Sequence, residues 1–125
     1  MIVAFDPGRN IGVAFVTSTG ALEWRSIVDS RALRDLTLPA GATVVVGDGT
    51  GSAALIGELT AMGLKPKVVV ERSTTLEARS LYFRDHPPRG WQRLLPSGMR
   101  SPPRSIDDYA AYAIALRWLA ERDGA

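Results

Sequence analysis

The stretch Met1-Ile2-Val3-Ala4-Phe5-Asp6-Pro7-Gly8-Arg9-Asn10-Ile11-Gly12-Val13-Ala14-Phe15-Val16 decides how the rest of the chain is read. Residues 2–5 are an unbroken apolar run, as in a strand buried on both faces. Asp6-Pro7-Gly8-Arg9-Asn10 is turn chemistry: Pro fixes φ, while Gly and Asn accept unusual backbone angles. Residues 11–17 read as a second strand, Ser18-Thr19-Gly20 as a tight turn and residues 21–28 as a third strand. The chain therefore opens as an antiparallel meander.

From there, strands alternate with helices. A short helix over residues 30–36, capped by Ser30, precedes an apolar strand over residues 43–46 suited to the sheet centre. A helix over residues 52–62 stops at Gly63, and residues 67–70 form another buried strand. Thr74-Thr75-Leu76-Glu77 has the capping-box pattern and opens a helix over residues 75–83. Residues 84–103 hold five of the eight prolines and read as a long irregular loop, a length that in a small domain points to function. Ser105-Ile106-Asp107-Asp108 is a second capping box, opening a helix over residues 105–122. The order predicts an α/β fold with a mixed five-stranded sheet and helices on both faces. The 125 residues read as one domain, without internal repeat or linker.

Composition narrows the function classes. There is no cysteine, so a disulfide framework and a thiolate metal site are both excluded. That fits a reducing cytoplasm, as does an N-terminus that enters a strand without the pattern of a signal peptide. No apolar run approaches the roughly 20 residues of a membrane-spanning helix. The net charge is only +2, yet Arg84, Arg89, Arg93, Arg100 and Arg104 face a single acid, Asp85, between positions 84 and 104. Thirteen arginines against two lysines favour planar, phosphate-matching donors over point charges. A nucleic-acid backbone is the partner such a segment suits.

Three carboxylates carry the chemistry. Asp6 ends the first strand, Glu71 follows the run Val68-Val69-Val70, and Asp107 lies in the first turn of the last helix. Parallel strands of an open sheet place their carboxyl ends on one edge, where ligands bind. Carboxylates gathered there repel one another unless a cation neutralises them, and hard oxygen donors suit Mg²⁺ or Mn²⁺. Each acid also has a plainer role: Asp6 as turn initiator, Glu71 as a solvated strand end, and Asp107 or Asp108 as a partner of the helix dipole. Helical phase does not separate Asp107 from Asp108, because each heads an apolar row. Asp48, in Gly47-Asp48-Gly49-Thr50-Gly51-Ser52, is either a further metal ligand or part of a plain flexible loop, and the glycines around it suit a phosphate at the helix N-terminus. His86 reads as solvated more readily than as a proton donor. Trp91, between Arg89 and Arg93, either pins the loop or stacks on an unpaired base.

In order along the chain, these motifs resemble one family. Asp6-Pro7-Gly8 with Ile11-Gly12-Val13-Ala14 is similar to the first-strand signature of RuvC-like nucleases. Val44-Val45-Val46-Gly47 resembles the family's next strand. Glu71-Arg72-Ser73-Thr74-Thr75-Leu76-Glu77-Ala78 and Ile106-Asp107-Asp108-Tyr109-Ala110-Ala111 resemble motifs of its YqgF (RuvX) branch. The resemblance implies an RNase H-like fold and a nuclease of branched DNA or ribosomal RNA precursors. It favours Asp107 over Asp108, giving a catalytic and metal-binding set of Asp6, Glu71 and Asp107. Arg72, Thr75, Arg84, Arg89, Trp91, Arg93 and Arg100 are the candidate nucleic-acid contacts. A homodimer would suit symmetric action on a junction. Three positions depart from the family pattern: the turn after Asp6 is one residue short, Val70 replaces an acid, and Asp48 replaces an apolar residue. The Val70 departure favours the alternative, a non-catalytic nucleic-acid-binding or ribosome-assembly factor on the same fold. A nucleotide-binding domain of the actin/sugar-kinase type ranks third, because such proteins close two domains around their ligand.

Overall fold

The computed structural model describes residues 1–70, 74–87 and 106–123. The strands are β1 (Ile2–Asp6), β2 (Ile11–Val16), β3 (Leu22–Val28), β4 (Thr43–Gly47) and β5 (Lys67–Val69). The helices are α1 (Ser52–Ala61), α2 (Thr74–Asp85) and α3 (Asp107–Asp123). The sheet runs β3-β2-β1-β4-β5. β2 is antiparallel to both β1 and β3, whereas β1, β4 and β5 are mutually parallel. Phe5 lies beside Val46, and Gly47 beside Val69, so the carboxyl ends of β1, β4 and β5 share one edge. The expected α/β class, mixed five-stranded sheet and two-sided helical cover are all present.

Side chains alternate across the sheet and build two cores. Ile2, Ala4, Ala14, Val16, Val45 and Val69 pack against Tyr82 of α2 and Tyr109, Tyr112 and Ile114 of α3. Val3, Phe5, Ile11, Val13, Val44 and Val46 pack against Leu55 and Leu59 of α1. Alanines 111, 113 and 115 of α3 are fully buried, and their small side chains let this helix settle closely on the sheet. It touches all five strands as well as α2. Helix α1 ends as its sequence predicts: Gly63 takes φ 85°, and the Leu64 amide donates to the Leu59 carbonyl at 3.1 Å. That is the glycine-terminated arrangement that satisfies a helix's last carbonyls.

Two local expectations need correction. The helix expected over residues 30–36 is a single 3₁₀ turn, Leu33–Asp35. It is introduced by Asp29, whose Oδ1 accepts from the Ala32 amide at 2.8 Å, not by Ser30. One anchor, the buried Leu33, suffices to hold so short a turn to the core. Strand β5 stops at Val69, one residue earlier than expected, and Val70 is 51% exposed. Helix α2 runs to Asp85, two residues into the loop expected over residues 84–103; that loop lies outside the described residues from position 88 onward, and so does Ser105, the expected cap of the last helix.

Candidate metal-binding site

Asp6 is the last residue of β1 and is half-buried. By alternation from Ile2 and Ala4 it belongs to the face covered by α2 and α3. Its partner across the β1–β2 ladder is Gly12. Gly12 in turn lies against the start of α3: a Cβ built there would overlap the Asp107 carbonyl group and stand 2.9 Å from the Asp108 amide nitrogen. Only a residue without a side chain permits this approach. The main chains of Asp6 and Asp107 are therefore brought to either side of one glycine, although they come from the first and last described elements.

Asp107 is partly buried as the first residue of α3, and Asp108 is almost wholly buried. The two acids that helical phase left equivalent have different surroundings. Asp108 Oδ2 accepts from Arg25 Nη1 of β3 at 2.8 Å, and its Oδ1 accepts from the Tyr109 amide at 3.0 Å. Burial works against the Arg25 charge, but the hydrogen bond to Asp108 and the field of Tyr109 and Asp108 outweigh it. The guanidinium is held above its ordinary range. Asp108 thus ties α3 to β3.

The same first turn is also fastened to α2. The Arg25 guanidinium lies 4.9 Å from the centre of the Tyr109 ring. The Tyr109 hydroxyl donates to Asp85 Oδ2 at 3.1 Å. Burial pushes the Tyr109 phenol above its ordinary value, against the opposing pull of Arg25. His86 is exposed, yet its ring stacks on Tyr82, ring centres 4.7 Å apart. Sequence reasoning missed Arg25 altogether. The available signal was a guanidinium on the core-facing register of an otherwise ordinary outer strand.

Of the other candidates, Asp48 is exposed and directly follows β4, its amide donating to the Val69 carbonyl at 3.0 Å. It therefore lies on the same sheet edge as Asp6. Arg84 Nε donates to Asp85 at 3.1 Å, and its guanidinium lies 5.6 Å from the Tyr112 ring, so it is engaged at the α2–α3 junction. Thr75 falls in the first turn of α2. Glu71, Arg72, Arg89, Trp91, Arg93 and Arg100 lie outside the described residues.

Among the described residues, no three acidic or histidine side chains gather closely enough to hold a metal ion. Asp6, Asp48 and Asp107 alone are thus not a complete site, and Glu71 is the third acid the sequence expectation requires. On the opposite face, Gly8 and Gly51 line a cleft of about 310 Å³ with Ile11, Leu55 and Glu58. The Glu58 carboxylate and the apolar walls suit this cleft poorly to phosphate. No helix among the described residues is long and apolar enough to cross a membrane. No protein-family model matches this sequence, and a search of curated proteins finds no significant match.

Proposed function

We propose that this protein is a divalent-metal-dependent nuclease with an RNase H-like fold, acting on structured DNA or precursor ribosomal RNA. The observation that carries the reading is that Gly12, at the carboxyl edge of the parallel strands, has the Asp6 main chain beside it in the ladder and the Asp107 main chain against it from α3. The strand order, with only β2 running against the other four, is consistent with an RNase H-like layout. The donor set fits Mg²⁺ or Mn²⁺ in kind: hard carboxylate oxygens, with no thiolate available.

Asp6, Asp107 and Glu71 would hold the metal, with Asp48 as a further ligand at the same edge. The bound ion would lower the pKa of water and offset charge developing at a phosphodiester. Asp108 is committed to Arg25 and is assigned a structural role. The arginines of residues 84–104 would grip the phosphate backbone, a contact that fixes register without reading sequence.

The test pairs a cleavage panel with thermal unfolding. Substrates are precursor ribosomal RNA, single strands, duplex and a four-way junction, with Mg²⁺, Mn²⁺ or EDTA. Cleavage is expected only with metal. Asp6→Asn is expected to abolish it while leaving the EDTA-treated protein as stable as wild type or more so, because one repelling charge is gone. A structural turn acid would instead cost about 1 kcal/mol when replaced. An Asp6→Asn protein that melts early yet still cuts defeats the reading. Binding without metal-dependent cleavage would point to the alternative, a non-catalytic ribosome-assembly or nucleic-acid-binding factor.

A further inference from the structure

We infer that Gly12 and Arg25 are positioning residues for the Asp107 carboxylate, together setting the Asp6–Asp107 spacing on which divalent-metal affinity depends. The inference rests on the metal-dependent reading above.

The two contacts act on the same helical turn from different strands. Gly12 of β2 sets how near the turn can come, because the Asp107 carbonyl occupies the space a Cβ would fill. Arg25, on the neighbouring strand β3, holds the turn sideways through Asp108 at 2.8 Å. Arg25 side-chain exposure is 35%, whereas that of Asp108 is 3%, so the pair is shielded on the carboxylate side. Successive helical residues project about 100° apart, so Asp107 cannot share the bearing of Asp108. Committing Asp108 to β3 therefore fixes where Asp107 points. The Tyr109 hydroxyl bond to Asp85 holds the following residue to α2. Residues 107 to 109 thus pack on β2 at Gly12, bond to β3 through Asp108 and bond to α2 through Tyr109.

Metal sites reward such support. Loss of groups that orient a ligand typically weakens metal binding by ~10–100-fold. Neither Gly12 nor Arg25 has to touch the ion for this to hold. Lysine is not equivalent to Arg25, because its compact ammonium lacks the planar guanidinium that lies 4.9 Å from the Tyr109 ring centre.

The experiment measures Mn²⁺ affinity of the metal-stripped full chain by the electron-spin-resonance signal of free Mn²⁺. Circular dichroism and thermal unfolding confirm that each protein is folded at the assay temperature. Gly12→Ala and Arg25→Lys are compared with wild type, Asp6→Asn and a remote control, Gly57→Ala. The expected result is an Mn²⁺ Kd raised about tenfold or more in Gly12→Ala and Arg25→Lys, and unchanged in Gly57→Ala. Excess Mn²⁺ should restore cleavage in the two positioning variants but not in Asp6→Asn. A merely structural role would lower the melting temperature without moving the Kd of the folded protein.

Folded variants with wild-type Kd would overturn the inference while leaving the metal site standing. Wild-type Mn²⁺ binding that Asp6→Asn leaves unaltered would overturn the metal reading itself, and this inference with it. Should Gly12→Ala not fold, Arg25→Lys, which keeps the buried carboxylate paired with a cation, decides the matter.

Discussion

Arg25 and Asp108 form one ion pair, but they should not be equivalent on removal. Arg25→Ala removes the guanidinium from a carboxylate whose side chain is only 3% exposed, while the Tyr109 amide still donates to it. Breaking a buried pair in this direction costs about 3 kcal/mol. Asp108→Ala strands a guanidinium that already reaches water, and about 1 kcal/mol is expected. Urea denaturation of the two variants should show that order, and equal losses would contradict it. Tyr109 gives a pH-dependent companion. Its folded pKa is raised above the ordinary 10.0, chiefly by burial. The stability this contributes is complete below the unfolded pKa and is lost as pH rises through the folded one. Tyr109→Phe should therefore lose about 1 kcal/mol at neutral pH with the Asp85 bond, and then show a shallower alkaline decline than wild type. Helical phase does not separate Asp107 from Asp108, and in the sequence only the family resemblance favours Asp107. Both head apolar rows on the helix, and the residue that separates them, Arg25, lies 83 positions away from its partner.

At the scale of elements, local rules and tertiary contacts contributed differently. The strands at residues 2–6, 11–16 and 43–47 follow directly from their apolar runs and punctuating glycines. So does α1, whose end is written in Gly63. The turn at residues 33–35 was overread because a polar segment of that size has enough helix formers to look helical but only one fully buried side chain, Leu33. Its length was decided by packing, which periodicity over seven residues cannot report. Within α1, Gly57 is exposed, helical and free of steric neighbours within 4 Å. Gly57→Ala should stabilise the protein by about 0.5–1 kcal/mol in thermal or urea unfolding, since Ala loses less backbone freedom on joining a helix. The opposite sign is expected at Gly12, where the added methyl meets main chain. The same substitution on two glycines thus separates a helix-propensity effect from a packing constraint.

For the whole molecule, the sequence pattern led to the layer order and to the shared edge of β1, β4 and β5, because strand alternation and turn residues are local signals. The docking of α3 beside β1 was legible only in part. Asp6 and Asp107 are paired by the resemblance alone, and the seating of the Asp107 main chain on β2 depends on Gly12 having no side chain beneath α3. The arginine-rich stretch makes a prediction at this scale. If its residues grip phosphates, replacing Arg89, Arg93 and Arg100 with Ala should flatten the slope of log affinity against log salt by roughly 2 to 3 units, given about 0.9 unit per duplex phosphate contact or about 0.7 on single strands. An unchanged slope would place the nucleic-acid contacts elsewhere. The docking of α3 across every strand has one more consequence, for the order of events during synthesis. A ribosome delivers the Asp6 hairpin early, yet the surface around Gly12 stays uncovered until residues 107–123 have emerged from the exit tunnel. On the proposed reading, any chemistry shared by Asp6 and Asp107 would be silent in the nascent chain until α3 is free to dock.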